Sequence, residues 1–212
     1  MLKISEIYPA IQGETSFSGE PCTIVRLAEC NLNCKWCDTP QAMEVKEELS
    51  VEEVFERCSK QGLELVLITG GEPLLQKDAF KLMQSLVEGG FKVLVETNGS
   101  LPLEGIPPEV IAILDWKCPG SGMESRMLPQ NLGKIRPCDE LKFIICDQRD
   151  FNHAITVVKD HDLTKKCKVM FSPEFNTMKA DILAKWILET RLPIRLNIQM
   201  HKYIWNNEQE QI

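Results

Sequence analysis

Long apolar runs are missing from this chain. Nowhere do about 18 apolar residues follow one another, so no membrane-crossing helix is expected. An excess of positive charge is missing too. With 24 Lys and Arg against 31 Asp and Glu, the net charge is −7, which argues against a basic nucleic-acid surface built of clustered cations. The opening stretch MLKISEIYPAIQGE has neither a long apolar core nor a small-residue cleavage site, so no signal peptide and a cytoplasmic location are expected. Histidine is scarce: His153, His161 and His201 lie far from the cysteine cluster described next. No second C-x2-C pair occurs either, and a structural zinc site usually takes four ligands in two close pairs.

What the chain does have is cysteine. An odd number, nine, in a reducing compartment points away from a disulfide framework, and three of them are tightly spaced. Cys30, Cys34 and Cys37 form a C-x3-C-x2-C segment just after a predicted strand. Iron–sulfur cubanes usually take four Cys ligands. Three ligands would leave one iron open to a small molecule, the logic of any catalytic metal site with a free position. The competing reading is zinc, with Cys22 as a fourth ligand, or an electron-transfer site in a binding module. Cys58, Cys118, Cys138, Cys146 and Cys167 read as core or loop thiols.

The 212 residues fit one domain, expected to span 1–212. Apolar, β-branched runs predict strands at 22–28, 64–69, 91–96, 111–116, 140–146, 167–171 and 194–198. Amphipathic patterns predict helices at 51–61, behind an N-cap at Ser50, and at 76–90, 150–159 and 177–189. In the last, Ile182, Leu183, Trp186 and Ile187 are expected to face inward. Segments 97–110 and 117–138, rich in Pro and Gly, read as loops. Strand–helix alternation implies an α/β fold with a parallel sheet. About six such units are too few for an eight-fold barrel, so the expectation is an open partial (β/α)6-type TIM barrel with its site at the carboxyl ends of the strands.

Polar motifs sit at those ends: Thr69-Gly70-Gly71-Glu72-Pro73, Glu96-Thr97-Asn98-Gly99, Asp115-Trp116-Lys117 and Ser172-Pro173-Glu174. Together with the cysteine segment, they resemble the radical S-adenosylmethionine (SAM) superfamily. The resemblance implies a [4Fe–4S] cluster on Cys30, Cys34 and Cys37, with SAM on the fourth iron and a 5′-deoxyadenosyl radical formed from it. It implies SAM contacts from Trp36, Cys37, Asp38, Gly71, Glu72, Asn98, Asp115, Trp116, Lys117, Ser172 and Pro173.

The segments Ile11-Gln12-Gly13-Glu14, Gly19-Glu20-Pro21, Val25-Arg26-Leu27, Asp38-Thr39 and Gln199-Met200-His201-Lys202-Tyr203 are similar to one branch of that superfamily, the pterin-ring-contracting enzymes. This implies conversion of 6-carboxy-5,6,7,8-tetrahydropterin to 7-carboxy-7-deazaguanine with loss of ammonia, in queuosine and 7-deazapurine biosynthesis. It further implies substrate contacts from Ile11, Gln12, Gly13, Glu14, Arg26, Thr69 and His201. Mg2+ on Thr39, a flavodoxin or ferredoxin as electron donor and a homodimer are also implied. Gln12 carries both donor and acceptor, Glu14 suits an amino-pyrimidine edge, and Arg26 suits an anionic oxygen. Thr15 stands where many members of that branch carry glycine. A glycyl-radical activating enzyme is the alternative within the superfamily; it would share the cysteine triad without needing the Ile11–Glu14 segment.

Overall fold

The computed structural model describes residues 1–204. Nine strands form a single sheet in the order β3-β1-β2-β4-β5-β6-β7-β8-β9. Every strand expected from the sequence is present, at Pro21–Leu27 (β2), Leu65–Gly70 (β4), Lys92–Thr97 (β5), Ile111–Trp116 (β6), Glu140–Ile145 (β7), Lys168–Pro173 (β8) and Ile194–Leu196 (β9). All pairings from β2 through β9 are parallel. Two further strands, β1 (Leu2–Ile11) and β3 (Glu47–Leu49), add antiparallel pairs at the first edge. The sequence pattern hid β1, because Lys3, Ser5, Glu6 and Pro9 interrupt its apolar residues. β3 has too few residues to show a period.

Helices cover the outer face at Val51–Gln61 (α1), Lys77–Glu88 (α2), Gln148–Asp160 (α3), Leu163–Lys166 (α4) and Ala180–Thr190 (α5), with a short Met200–Ile204 (α6) near the end. Ser50 caps α1 as expected, in a reciprocal capping box with Glu53, an arrangement worth about 1 kcal/mol. The helix expected from 177 begins at 180, because the Glu174 carboxylate holds the preceding residues in a separate turn through Asn176 and Thr177. Ile182 corrects the expected inner face of α5. It is exposed, whereas Leu183 and Ile187 are buried, because the buried stripe is narrower than the apolar run. The β5–β6 connection has no helix and the β6–β7 connection only short 3₁₀ turns, in keeping with their Pro- and Gly-rich composition.

The period of two along each strand divides the interior. Val25, Leu27, Val66, Ile68, Val93, Val95, Ala112, Leu114, Trp116, Leu141, Phe143 and Ile145 face the helices in the main core. On the opposite face, Cys22, Ile24, Leu65, Leu67, Leu94 and Ile113 gather round Tyr8 and Phe17 in a second, smaller core. Phe17 comes from the loop after β1 and seals the amino-terminal end of the sheet. Lys92 and Lys168, at the starts of β5 and β8, lie against its ring, 4.2 Å and 5.8 Å from the centroid.

Candidate active site

One residue-pair further along the same inner face, the strands change from apolar to polar. Ile24 is followed by Arg26, Leu67 by Thr69, Leu94 by Glu96, and Ile113 by Asp115. The four polar residues line a cavity of about 910 Å3, at the upper end of small-molecule sites. Its rim carries Cys30, Cys34 and Cys37 and its lower wall carries Gln12, Gly13 and Glu14. Segment 197–202 forms a further wall and ties the late strands to the loop after β1. Asn197 Oδ1 accepts from the Thr15 amide at 3.0 Å, and the Met200 amide donates to the Gly13 carbonyl at 2.8 Å.

Two glycines show why these segments meet. A Cβ on Gly71 would stand 2.2 Å from the Glu29 carbonyl and 2.7 Å from Cys30 Cβ, so only glycine lets the end of β4 reach the cysteine loop. A Cβ on Gly13 would stand 2.2 Å from His201 Nδ1, so the motif after β1 and the tail are shaped to each other.

The thiols of Cys30, Cys34 and Cys37 are free. Cys30 Sγ accepts from the Leu32 amide (3.4 Å) and from Asn98 Nδ2 (3.8 Å). Asn98 belongs to a closed ring in which its amide donates to Asn31, Asn31 to Ser100, and Ser100 back to Asn98. Burial pushes the Cys30 and Cys34 thiols up, against the pull of the Cys30 donors and of Lys117 near both. Among the described residues, no three His, Cys, Asp or Glu side chains stand close enough to share one metal ion. The three thiols stand together at the cavity mouth.

Most of the residues expected at a site come together here: Ile11, Gln12, Gly13, Glu14, Arg26, Trp36, Asp38, Thr39, Thr69, Gly71, Asn98, Asp115, Lys117 and His201 all line the cavity. Buried atoms in this wall have no protein partner among the described residues, namely Gln12 Nε2, Trp36 Nε1 and Asp115 Oδ1. Such atoms are costly unless a ligand or water satisfies them. Thr39 precedes a 3₁₀ turn at Pro40–Met43, yet its hydroxyl makes no capping bond.

Four expected residues lie behind the wall. Glu72 is fully buried and accepts from the Leu74 and Asn98 amides and the Thr97 hydroxyl, so it clamps the β4 and β5 ends together. Trp116 faces the helices because the parity of β6 puts Asp115 inward. Ser172 is inward-facing but covered by Asn197, which donates to its hydroxyl at 2.9 Å. Pro173, the last residue of β8, is buried beside it.

Other cavity residues escaped the sequence reading. Lys142 was absorbed into the apolar run of β7, although its odd placement in ELKFIIC is a signal in itself. The structure pairs it with Glu14 and, at 3.7 Å, with Asp115. Burial opposes charge on Lys142, yet Glu14, Asp115 and Glu96 hold its ammonium well above the ordinary range. Burial raises the Glu96 carboxyl, with Lys142 opposing. Gln199 donates to Glu14 at 2.6 Å and to Asp38 at 3.1 Å. Burial also acts upward on Asp38, but Lys202, Lys142 and Gln199 outweigh it and bring the carboxyl below its usual value. Arg26 donates to Glu6 (2.8 Å) and to Tyr8 (3.1 Å), which aim its guanidinium.

A thiol triad on the loop after the first parallel strand, above a cavity inside an open α/β barrel, defines a radical SAM enzyme. Residues 24–115 match the Radical SAM superfamily. The 7-carboxy-7-deazaguanine synthases of Koribacter versatilis and Chlorobaculum tepidum are each 40% identical to this chain, the first over 98% of both chains and the second over 97% of this chain and 94% of its own. The chain belongs to the 7-carboxy-7-deazaguanine synthase family. The QueE protein of Escherichia coli shares the fold, with a TM-score of 0.75 at 22% identity over 94% of each chain. Archaeal TYW1 is a more distant structural neighbour, at a TM-score of 0.59 and 14% identity over 81% of this chain and 72% of its own.

Proposed function

We propose that this chain contracts the ring of 6-carboxy-5,6,7,8-tetrahydropterin to 7-carboxy-7-deazaguanine with release of ammonia, using SAM and a [4Fe–4S] cluster. The observation that carries this reading is one cavity with free thiols at its rim and a polar pterin-sized wall below them. When bound, the cluster and SAM would together supply radical hydrogen abstraction at C6 of the substrate. Cys30, Cys34 and Cys37 would hold three irons. Trp36, Asp38, Gly71, Asn98, Asp115 and Lys117 would hold SAM, with Glu72, Trp116, Ser172 and Pro173 fixing the backbone behind them.

Below, Gln12 and Glu14 read the amino-pyrimidine edge, with Ile11, Gly13 and Thr69 beside them. Arg26 and His201 face the substrate's oxygens. The unengaged Thr39 hydroxyl suits Mg2+, which keeps most of its waters and needs few protein ligands. A flavodoxin or ferredoxin would supply electrons, and a homodimer acting in the cytoplasm as a single-domain protein is the working assembly.

The test is an anaerobic assay of reconstituted protein with SAM, reductant and carboxytetrahydropterin, with and without Mg2+. Formation of the deazaguanine with no partner protein present is expected, with a higher rate when Mg2+ is added. A requirement for a protein substrate would instead favour a glycyl-radical activase. Cys34→Ala is expected to lose both the cluster's visible absorbance and turnover.

A further inference from the structure

Between the proposed pterin-facing and SAM-facing walls runs a continuous line of charge. Gln199 Nε2 donates to Glu14 Oε1 at 2.6 Å, and Glu14 Oε2 pairs with Lys142. Lys142 Nζ reaches Asp115 Oδ2 at 3.7 Å, and Lys117 meets the same oxygen at 3.0 Å. Lys117 Nζ in turn stands 5.0 Å from the centroid of the Trp36 ring. The link is built into the sheet, because Asp115 and Lys142 are register partners on β6 and β7, both on the inner face. Lys142 is the charged member that touches a carboxylate on each side, while the neutral Gln199 spans Glu14 and Asp38 beside it. The Lys142 side chain is 5% exposed, so water screens it little.

We propose that Lys142 is a positioning residue that couples pterin binding at Glu14 to SAM binding at Asp115. One ammonium is shared unequally between two buried carboxylates. Donors of a bound pterin relieve Glu14 of its need for Lys142, which then moves toward Asp115. Asp115 is thereby held with its unpartnered Oδ1 free for a hydroxyl of the second ligand. The reverse sequence follows by reciprocity. A merely structural lysine would support both sites without linking them.

This inference rests on the proposed assignment of the two walls, and the experiment keeps the two separable. In the reconstituted holoenzyme, SAM affinity is measured from the change it causes in the electron paramagnetic resonance of the reduced cluster, with and without saturating carboxytetrahydropterin. Pterin affinity and thermal midpoint are measured alongside. For the unsubstituted enzyme, pterin is expected to tighten SAM binding by about fivefold or more, the low end of typical site coupling. Lys142→Met is expected to bring that ratio to about one, with both ligands still binding. Lys142→Arg, which can span both carboxylates, is expected to restore most of it. Lys142→Gln, which can serve one carboxylate at a time, gives the same reading as Lys142→Met should the methionine variant not fold. An unchanged ratio in Lys142→Met or Lys142→Gln overturns the inference and leaves the functional assignment standing. Failure of the unsubstituted holoenzyme to bind the pterin at all overturns both.

Discussion

At the scale of single residues, Thr15 stands where the backbone conformation favours glycine. It has φ +69°, a region costly for a β-branched residue and natural for glycine. Its amide bonds to Asn197 and its hydroxyl accepts from the Phe17 amide at 3.2 Å, which partly compensates. Left-handed strain of this kind costs about 1–3 kcal/mol, against about 1 kcal/mol for glycine's extra freedom when unfolded. Thr15→Gly is therefore expected to leave stability unchanged or raise it by up to about 1 kcal/mol, a shift of roughly 2–4 °C in thermal midpoint for a chain of this size. Calorimetry checks this, and a fall of several degrees would refute it. Asn98 offers a second test. Hydrogen bonds to cluster sulfurs ease reduction by stabilising the more negative state. Asn98→Ala is expected to move the midpoint of the reconstituted cluster to lower potential, read by redox titration.

At the scale of elements, the loop after β1 does two things. Its first residues form the lower cavity wall, and Phe17 plugs the end of the sheet beneath it. Deleting a buried Phe side chain costs about 3–5 kcal/mol. Phe17→Ala is expected to lose that much in denaturant unfolding. Pterin binding should also weaken, because Glu14 lies on the same loop. A variant with full stability would show that the plug is dispensable. The strands themselves were legible because parallel strands buried on both faces are near-continuous apolar runs. β1 was not, since its apolar residues are interrupted by residues that pair with Arg26 and the tail of the cysteine loop. The same two-fold parity that buried Lys142 in the expected run also turns Trp116 away from the cavity.

At the scale of the whole molecule, segment 197–202 closes the site against β1, and its docking is expected to depend on pH. Burial lowers the pKa of His201 below its ordinary 6.5, despite the pull of Glu14 and Asp38. A histidine held low in the folded state binds fewer protons than in the unfolded chain. Its contribution is therefore present above about pH 6.5 and lost as pH falls through the folded value. Stability should decline on acidification below that point, and His201→Asn should flatten the decline. Thermal midpoints of both proteins across this range measure the difference; parallel curves would exclude His201 as the cause.

The chain by itself determined the cysteine spacing, the strand-end motifs and the alternation of strand and helix, because each is local and carries its own periodicity or ligand chemistry. Only the tertiary structure decided which polar residues share a wall. That depends on strand parity, on the register that sets Asp115 beside Lys142, and on a tail that packs against a glycine about 190 positions earlier. Contacts so distant in sequence have no local pattern, since they arise from closure of the whole sheet.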